Sequence, residues 1–307
     1  MSNLIPKFTI KQLLEAGVHF GHKSMRRNPK MAKYVHSNRN GLSIIDLNKS
    51  AKMLHQALIV THQIARNNGR ILFVGTKKQA SPIVAEMAKR CGQYYVNFRW
   101  LGGMLTNFKT VSQSIKTLRK VEEQLANQDV DLNKKEKLVL ERKRLKLEQA
   151  LGGIKNMGGY PDLIFVIDIN KEDIAILEAK KLNVPIMAIV DTNCDPDGIK
   201  YVIPGNDDSS KAIRLYCSLV SDAIISGIRE NMAASGVDVS KFDASQIQQT
   251  VKVEEEKVRP AKFERKEERT EKHHDTTKKV IVDEKKYDEK KSPAKPKAKA
   301  PAAKSKK

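Results

Sequence analysis

The chain has 307 residues and carries 57 Lys and Arg against 36 Asp and Glu, a formal net charge of +21. Hydrophobic residues make up 40% of the sequence, which is ordinary for a globular protein that buries a core. No apolar run approaches the ~20 residues of a membrane-spanning helix, and the first thirty residues contain no apolar signal core. The cysteines Cys91, Cys194 and Cys217 are far apart and form no metal-ligand pair. The composition therefore excludes membrane, secreted and zinc-finger proteins and predicts a reduced, intracellular one.

Positive charge is spread over the whole chain. Residues 1–240 hold 36 basic and 23 acidic side chains, a net charge of +13, and residues 241–307 hold 21 and 13, a net charge of +8. The second segment consists of charge runs and a Lys/Ala/Pro-rich end, which cannot bury enough apolar surface to offset the entropy of ordering, so we expect a disordered basic tail. Since the remainder is basic as well, RNA is the expected partner, and charge that serves only solubility is the alternative.

Short apolar runs alternate with amphipathic helices through the middle of the chain. The runs predict strands over residues 41–47, 70–75, 94–97, 163–168, 185–191 and 201–204, and the periodic segments predict helices over 48–68, 81–91, 174–182 and 210–230. Near-continuous Val, Ile and Leu runs between helices indicate a parallel sheet that is covered on both faces. The predicted fold class is therefore α/β, a doubly wound, flavodoxin-like, mostly parallel sheet flanked by helices.

A long interruption of this alternation has a period of its own. Apolar residues recur at coiled-coil spacing on both sides of a polar, turn-like stretch at 127–135, which predicts an inserted antiparallel coiled-coil α-hairpin with basic outer faces. The expected organisation is a basic N-terminal segment packed on the core (1–40), an α/β sandwich (41–108 and 155–236), the helical hairpin (109–154) and the tail (241–307).

The densest short basic motif lies between Gly21 and Met31. It has neither helical nor strand periodicity, so we expect an extended surface segment, and extended basic segments bind phosphates and unpaired bases. Its apolar side chains Met25 and Met31 indicate that part of it packs against the core. The candidate RNA-binding residues in and just after this motif are His22, Lys23, Arg26, Arg27, Asn28, Lys30 and Lys33.

Two further segments add candidate RNA contacts. Lys77 and Lys78 follow a predicted strand at a strand-to-helix turn, where an anion is favoured, although the sequence there matches neither a dinucleotide-binding glycine motif nor a P-loop. Surface lysines without a ligand are the alternative at this turn. Arg99 and Trp100 stand before a Gly-Gly pair; for Trp100 a core position is the main interpretation, and base stacking is the alternative.

Aspartates follow the predicted strands at the edge where open α/β sheets bind ligands. Asp191, Asp195, Asp207 and Asp208 would hold a hard cation if they converged with His19, but aspartates at such positions also cap helices and close turns, which is the preferred interpretation. We therefore assign no metal, cofactor or catalytic residue; no Ser, Cys or His stands in a nucleophile motif.

Seven segments, taken together and in order, resemble the signature of the bacterial small-subunit ribosomal protein S two family. The similarity covers about residues 5–230 and is carried by residues 19–22, 27–31, 74–79, 99–107, 191–193, 195–196 and 203–208. The resemblance implies a doubly wound α/β domain with a coiled-coil hairpin, and no catalysis. It also implies binding to 16S rRNA, contact with other small-subunit proteins including protein S one, and a cytoplasmic location on the small subunit. It extends neither to the tail nor to a membrane or small-molecule partner.

Two rival functions remain at this point. The first is a nucleotide- or metal-dependent enzyme that uses Lys77, Lys78 and the aspartates at the strand ends. The second is an adaptor that uses the hairpin for protein pairing alone.

Overall fold

A computed structural model describes residues 5–127 and 133–234. The predicted basic tail, residues 241–307, lies outside the described residues. No helix within the described ranges is both long and apolar enough to cross a membrane.

Eight strands and seven α-helices make up the described chain, with short 3-10 turns between some of them. In chain order they are α1 (Ile10–Glu15), β1 (Phe20–Lys23), β2 (Val35–Arg39), β3 (Leu42–Ile45), α2 (Leu47–Arg66), β4 (Ile71–Val74), α3 (Ser81–Arg90), β5 (Tyr94–Val96), α4 (Phe108–Ala126), α5 (Lys134–Leu151), β6 (Leu163–Ile167), α6 (Asp173–Lys181), β7 (Ile186–Val190), β8 (Tyr201–Pro204) and α7 (Ser210–Ala234).

The central sheet has five parallel strands in the order β5-β4-β6-β7-β8. Counted along the chain, this is the order 2-1-3-4-5, which is the flavodoxin-like doubly wound arrangement. Strands β4, β6 and β7 are buried at every position, as expected for a sheet covered on both faces. The predicted parallel α/β sheet is confirmed, and the order in which its strands are added reverses between β4 and β6.

Two apolar layers cover the sheet. On one face Leu72, Ile164 and Ala188 belong to a core cluster that also contains Trp100 and buried residues of α4 and α6. On the other face the rings of Phe73 and Phe165 pack edge to face, with their centroids 5.5 Å apart. The hydroxyl of Thr61 on α2 lies 3.8 Å from the sulfur of Met187. Helices α2, α3 and α7 pack together on this second side.

The N-terminal region differs from the expected extended segment. Strands β1, β3 and β2 form a separate three-stranded antiparallel sheet, and β3, predicted as a strand of the main sheet, belongs to this small one. Asn40 and Gly41 have positive φ angles of 50° and 75° and form the two-residue turn that joins β2 to β3. Met31 is fully buried in the main core cluster, so this region is fixed to the α/β core.

Helices α4 and α5 occupy the predicted interruption and contact each other. Ile115, Leu118 and Val121 form the buried stripe of α4, at helical spacing. In α5 only Leu151, the last residue, is fully buried, and Leu138, Val139 and Leu145 are exposed. The described residues therefore contain two helices in contact, with a buried stripe on α4 and mostly exposed side chains on α5.

Candidate nucleic-acid interface

Lys77 lies at the point where the order of the parallel strands reverses. Its ammonium is 3.3 Å from Asp168, which follows β6, 3.2 Å from Asp207 and 2.5 Å from Asp208. The Lys77 side chain is mostly buried, and the three carboxylates lie beyond the carboxyl ends of the strands, where doubly wound folds hold ligands. Lys77 thus neutralises carboxylates of this chain.

The charge balance of this cluster shifts two pKa values. Burial works to lower the pKa of Lys77, but Asp208, Asp207 and Asp168 outweigh it and raise that pKa well above its ordinary value. Burial, reinforced by the neighbouring carboxylates of Asp168 and Asp191, raises the pKa of Asp207 to about 7 even with Lys77 beside it. The cluster therefore holds more negative charge than Lys77 alone compensates.

His22 fixes strand β1 to the carboxyl edge of the main sheet. Its backbone N–H donates to the Thr192 hydroxyl at 2.9 Å, and its ring nitrogens lie 2.9 Å from Asp191 and 3.4 Å from Asp208. A methyl group at Gly21 would come within 2.6 Å of the Thr192 side chain, so only glycine allows this approach. The Asp191 carboxylate raises the pKa of His22, although burial opposes the shift.

Asn28 and Lys30 make a second attachment to the same loop. The Asn28 N–H donates to the Thr192 carbonyl at 2.8 Å, and its side chain accepts from the Lys30 N–H at 3.0 Å. The Lys30 ammonium lies 2.7 Å from Asp195 and 2.6 Å from Asp197, and these contacts raise the pKa of Lys30 to about 12. Both residues hold the basic segment in place.

Trp100 is 6% exposed and belongs to the core cluster. Its indole N–H donates to Glu178 at 3.1 Å, and the same carboxylate accepts from the backbone N–H groups of Gly103, Leu105 and Thr106 at 2.7–3.0 Å. Glu178 on α6 thereby fixes the loop that leads into α4, and the indole faces are covered by the core.

The other candidate residues are exposed, and among the residues that the structure describes none of them pairs with a carboxylate. We call this set the basic rim; it consists of Lys23, Arg26, Arg27, Lys33, Lys78 and Arg99. The N-terminal members lie in the segment that His22 and Asn28 attach to the carboxyl edge of the sheet, and Lys78 and Arg99 follow β4 and β5 at that edge. The rim therefore lies along one edge of the molecule.

Comparison with known proteins assigns the chain to a family. A sequence model described as ribosomal protein S2 matches residues 13–227. Proteins named small ribosomal subunit protein uS2 are similar over most of their length. The protein from Phenylobacterium zucineum is 59% identical, and the match covers 78% of this chain and 81% of the relative. The protein from Caulobacter vibrioides is also 59% identical, with 76% of this chain and 88% of the relative covered. The protein from Paramagnetospirillum magneticum is 55% identical, with 81% of this chain and 94% of the relative covered.

The chain belongs to the ribosomal protein S2 family. It is a ribosomal protein of the small subunit in the bacterial cytoplasm and a structural component of the translation machinery, not an enzyme. The predicted function is confirmed at this level, and the enzyme alternative is set aside. The geometry agrees, because Lys77, on which that alternative depended, is bound to three carboxylates.

Several features of this edge of the protein were not predicted from the sequence. Phe98, which precedes Arg99, is 60% exposed. The sequence indicated Trp100 as the aromatic candidate instead, because it is the only tryptophan of the chain. The anchoring contacts of Thr192 and Asp197 were missed because their partners, His22 and Lys30, lie more than 160 residues earlier in the chain. A grouping of His19 with four aspartates was weighed as the alternative to helix caps and turns. In the structure His22, not His19, lies beside Asp191 and Asp208, and Asp195 pairs with Lys30.

Proposed function

We propose that this ribosomal protein docks on 16S rRNA through the basic rim, with phosphate contacts providing most of the affinity. The supporting observation is a division among the basic residues at one edge. His22, Lys30 and Lys77 are held by carboxylates, whereas the rim cations project into solvent without a protein counter-ion among the described residues. When unpaired Lys and Arg side chains bind phosphates, the counter-ions condensed on the RNA are released, and this release drives association.

The held residues have a positioning role in this proposal. His22, Asn28 and Lys30 fix the segment that carries Arg26 and Arg27, so the rim is largely preorganised. A fixed arrangement of cations loses less entropy on binding than a mobile one.

Phe98 provides an apolar contact within the rim. Its side chain is 60% exposed, and in the sequence it stands between Asn97, whose amide donates to the Ser81 carbonyl at 3.2 Å, and Arg99. Unpaired RNA bases stack on exposed aromatic rings and are flanked by phosphates. We assign base stacking to Phe98, because the ring of Trp100 is covered.

Neighbouring ribosomal proteins are the second class of partner, and we include protein S one among them on the strength of the sequence resemblance. We propose that α4 and α5 continue as a coiled-coil hairpin over residues 109–154, next to the N-terminal segment (1–40) and the sandwich (41–108 and 155–236). Basic residues remain exposed on both helices, among them Lys116, Lys120 and Arg142, and suit contact with RNA or with acidic protein surfaces. No small-molecule substrate and no membrane enters this proposal.

The test compares two double variants of the full chain in binding to 16S rRNA across a range of salt concentrations. Arg26→Ala/Arg27→Ala removes two rim cations. Lys181→Ala/Lys200→Ala removes two exposed cations, one at the end of α6 and one just before β8, at the opposite edge of the main sheet. We expect the rim variant to bind more weakly and to flatten the slope of log K against log salt by about 2, since each lost phosphate contact contributes roughly 0.9.

The control variant should retain both the affinity and the slope. Equal losses in the two variants would show that only net charge matters and would contradict docking by the rim. Unchanged RNA binding in both would favour the adaptor function, in which the hairpin pairs with proteins alone.

A further inference from the structure

Among the residues that the structure describes, Met25 is the most exposed of the large apolar side chains. It is 95% exposed, whereas Met31, six residues later, is fully buried. The other large apolar residues at the surface keep more of their area covered, and Leu177, the next in order, is 65% exposed. A single exposed apolar residue is common on protein surfaces, so the meaning of Met25 depends on its surroundings.

Hydrogen bonds on both sides fix the turn that carries Met25. The turn is a short 3-10 helix, Ser24–Arg26, and the N–H of its first residue donates to the Gly41 carbonyl at 2.8 Å. Two residues after the turn, the Asn28 N–H donates to the Thr192 carbonyl at 2.8 Å. The backbone of Met25 is therefore held between the small antiparallel sheet and the carboxyl edge of the main sheet, while its side chain stays in solvent.

The neighbours of Met25 along the chain are cations. Lys23, Arg26 and Arg27 belong to the basic rim; they are exposed and pair with no carboxylate in the part of the chain that the structure describes. The sequence contains no Asp or Glu between Glu15 and Asp46. Such a surface attracts phosphates and repels basic protein surfaces. Because a base is separated from its phosphate by a single sugar, RNA bound to these cations brings bases close to the thioether.

We propose that Met25 packs its thioether against an unpaired base of 16S rRNA. This inference rests on the proposed docking of the basic rim and adds an apolar contact at the centre of its N-terminal turn. The methionine side chain is unbranched and polarisable, and it packs well against aromatic surfaces. The faces of unpaired bases are such surfaces, and sequence-specific RNA recognition targets bases of this kind. Since Met25 has no charge, its contact releases no counter-ion and adds affinity that does not depend on salt.

The sulfur of Met25 allows a direct test of whether RNA covers it. Hydrogen peroxide oxidises an exposed thioether to the sulfoxide: the sulfur bonds to one peroxide oxygen, the O–O bond breaks, and the other oxygen leaves as water after proton transfer. In the free full-length chain Met25 should react faster than Met31 and Met104, which are both fully buried. A base packed on the thioether shields it, so bound RNA should slow oxidation at Met25.

The first experiment measures binding of the full-length chain to 16S rRNA over a range of salt concentrations. Met25→Ala removes the thioether, Met25→Gln replaces it with a polar group of similar length, and Met25→Leu keeps an apolar side chain. The matched control is Leu177→Ala, which truncates an exposed apolar side chain on α6, outside the rim. Because Met25 and Leu177 are both exposed, we expect all four variants to fold, and circular dichroism checks it.

The second experiment measures the rate of peroxide oxidation at each methionine by mass spectrometry of peptides. It compares the free chain, the chain bound to 16S rRNA at low salt, and intact small subunits. We expect Met25→Ala and Met25→Gln to bind about fivefold to tenfold more weakly with an unchanged salt slope. Met25→Leu and Leu177→Ala should stay within about twofold of the unmodified chain, and RNA alone should slow oxidation at Met25 about fivefold or more.

Three results would overturn the proposal: full affinity in both Met25→Ala and Met25→Gln, equal losses in Met25→Ala and Leu177→Ala, or protection of Met25 in intact subunits but not by RNA alone. The last result would mean that a neighbouring protein covers the side chain. The docking function fails separately, when Arg26→Ala/Arg27→Ala keeps the affinity and slope of the unmodified chain. If that variant loses affinity while the Met25 variants do not, the rim docks and only the contact of Met25 is wrong.

Discussion

The carboxylate of Glu178 accepts the indole N–H of Trp100 at 3.1 Å, and the two residues come from elements that are 78 positions apart in the chain. The same carboxylate also accepts backbone N–H groups of the loop that follows Trp100. One side chain on α6 thus fixes the loop that carries Phe98 and Arg99 and leads into α4.

The first prediction concerns the stability that Glu178 provides. In Glu178→Gln an amide NH₂ faces the N–H groups of Leu105 or Thr106, so at least one buried donor loses its acceptor. We expect the free energy of unfolding to fall by roughly 2–3 kcal/mol. Urea unfolding followed by Trp100 fluorescence measures it. The control Glu86→Gln changes an exposed ion pair with Arg214 and should cost less than about 1 kcal/mol; a similar loss in both variants would contradict the role of Glu178.

The second prediction is the pH dependence of that contribution. Burial tends to raise the pKa of Glu178, but hydrogen bonds from Thr106, Leu105, Trp100 and Gly103 outweigh it, so the pKa in the folded state is lowered. A carboxyl of this kind stabilises the fold fully above its unfolded pKa of about 4.3 and loses that contribution as the pH falls through the folded pKa. The stability difference between the unmodified protein and Glu178→Gln should therefore shrink between pH 7 and pH 3. A difference that stays constant or grows on acidification would refute this account.

The third prediction separates two adjacent lysines. Lys77→Met leaves buried carboxylates without their ammonium, and we expect a loss of about 3 kcal/mol in unfolding free energy. Lys78→Met removes an exposed cation, so its stability should change by less than about 0.5 kcal/mol, while the salt slope of RNA binding decreases by about 1. Chemical denaturation and salt-dependent RNA binding measure the two effects. The opposite pattern would mean that Lys77, and not Lys78, contacts phosphate.

The fourth prediction tests base stacking by Phe98. Phe98→Ala removes an exposed ring, so the fold should lose little stability, whereas RNA affinity should fall about tenfold, which is within the range for one stacked base. The control Leu101→Ala truncates an exposed apolar side chain in the same loop and should leave RNA affinity nearly unchanged. Equal effects in both variants would indicate general loop disturbance in place of stacking.

The parallel sheet was predictable because its strands are buried on both faces. Strands such as Leu163–Ile167 and Ile186–Val190 are continuous apolar runs, and burial alone explains them. The N-terminal antiparallel sheet was missed because β1 and β2 have no fully buried position and so show no apolar alternation. The Asn40-Gly41 dipeptide, a strong hairpin signal, was its only local sign.

The sequence predicted which basic residues belong to the candidate site, but it did not predict which of them form ion pairs with aspartates. The sequence reveals which cations are close along the chain, but it does not reveal that Lys30 meets Asp195 or that Lys77 meets Asp208 across more than 100 residues. Such contacts depend on how the strand ends converge, and they decide which cations remain free for RNA. Lys77 and Lys78 are adjacent in the turn before α3, yet Lys77 is held by three carboxylates and Lys78 is exposed.

The central claim is that this protein is a component of the small ribosomal subunit held mainly by phosphate contacts. Sedimentation of a gently prepared lysate through sucrose gradients at low and at high salt tests it most directly. We predict that the protein migrates with small subunits at low salt and is released as the salt concentration rises. A protein that stayed at the top of the gradient at every salt concentration would contradict the claim.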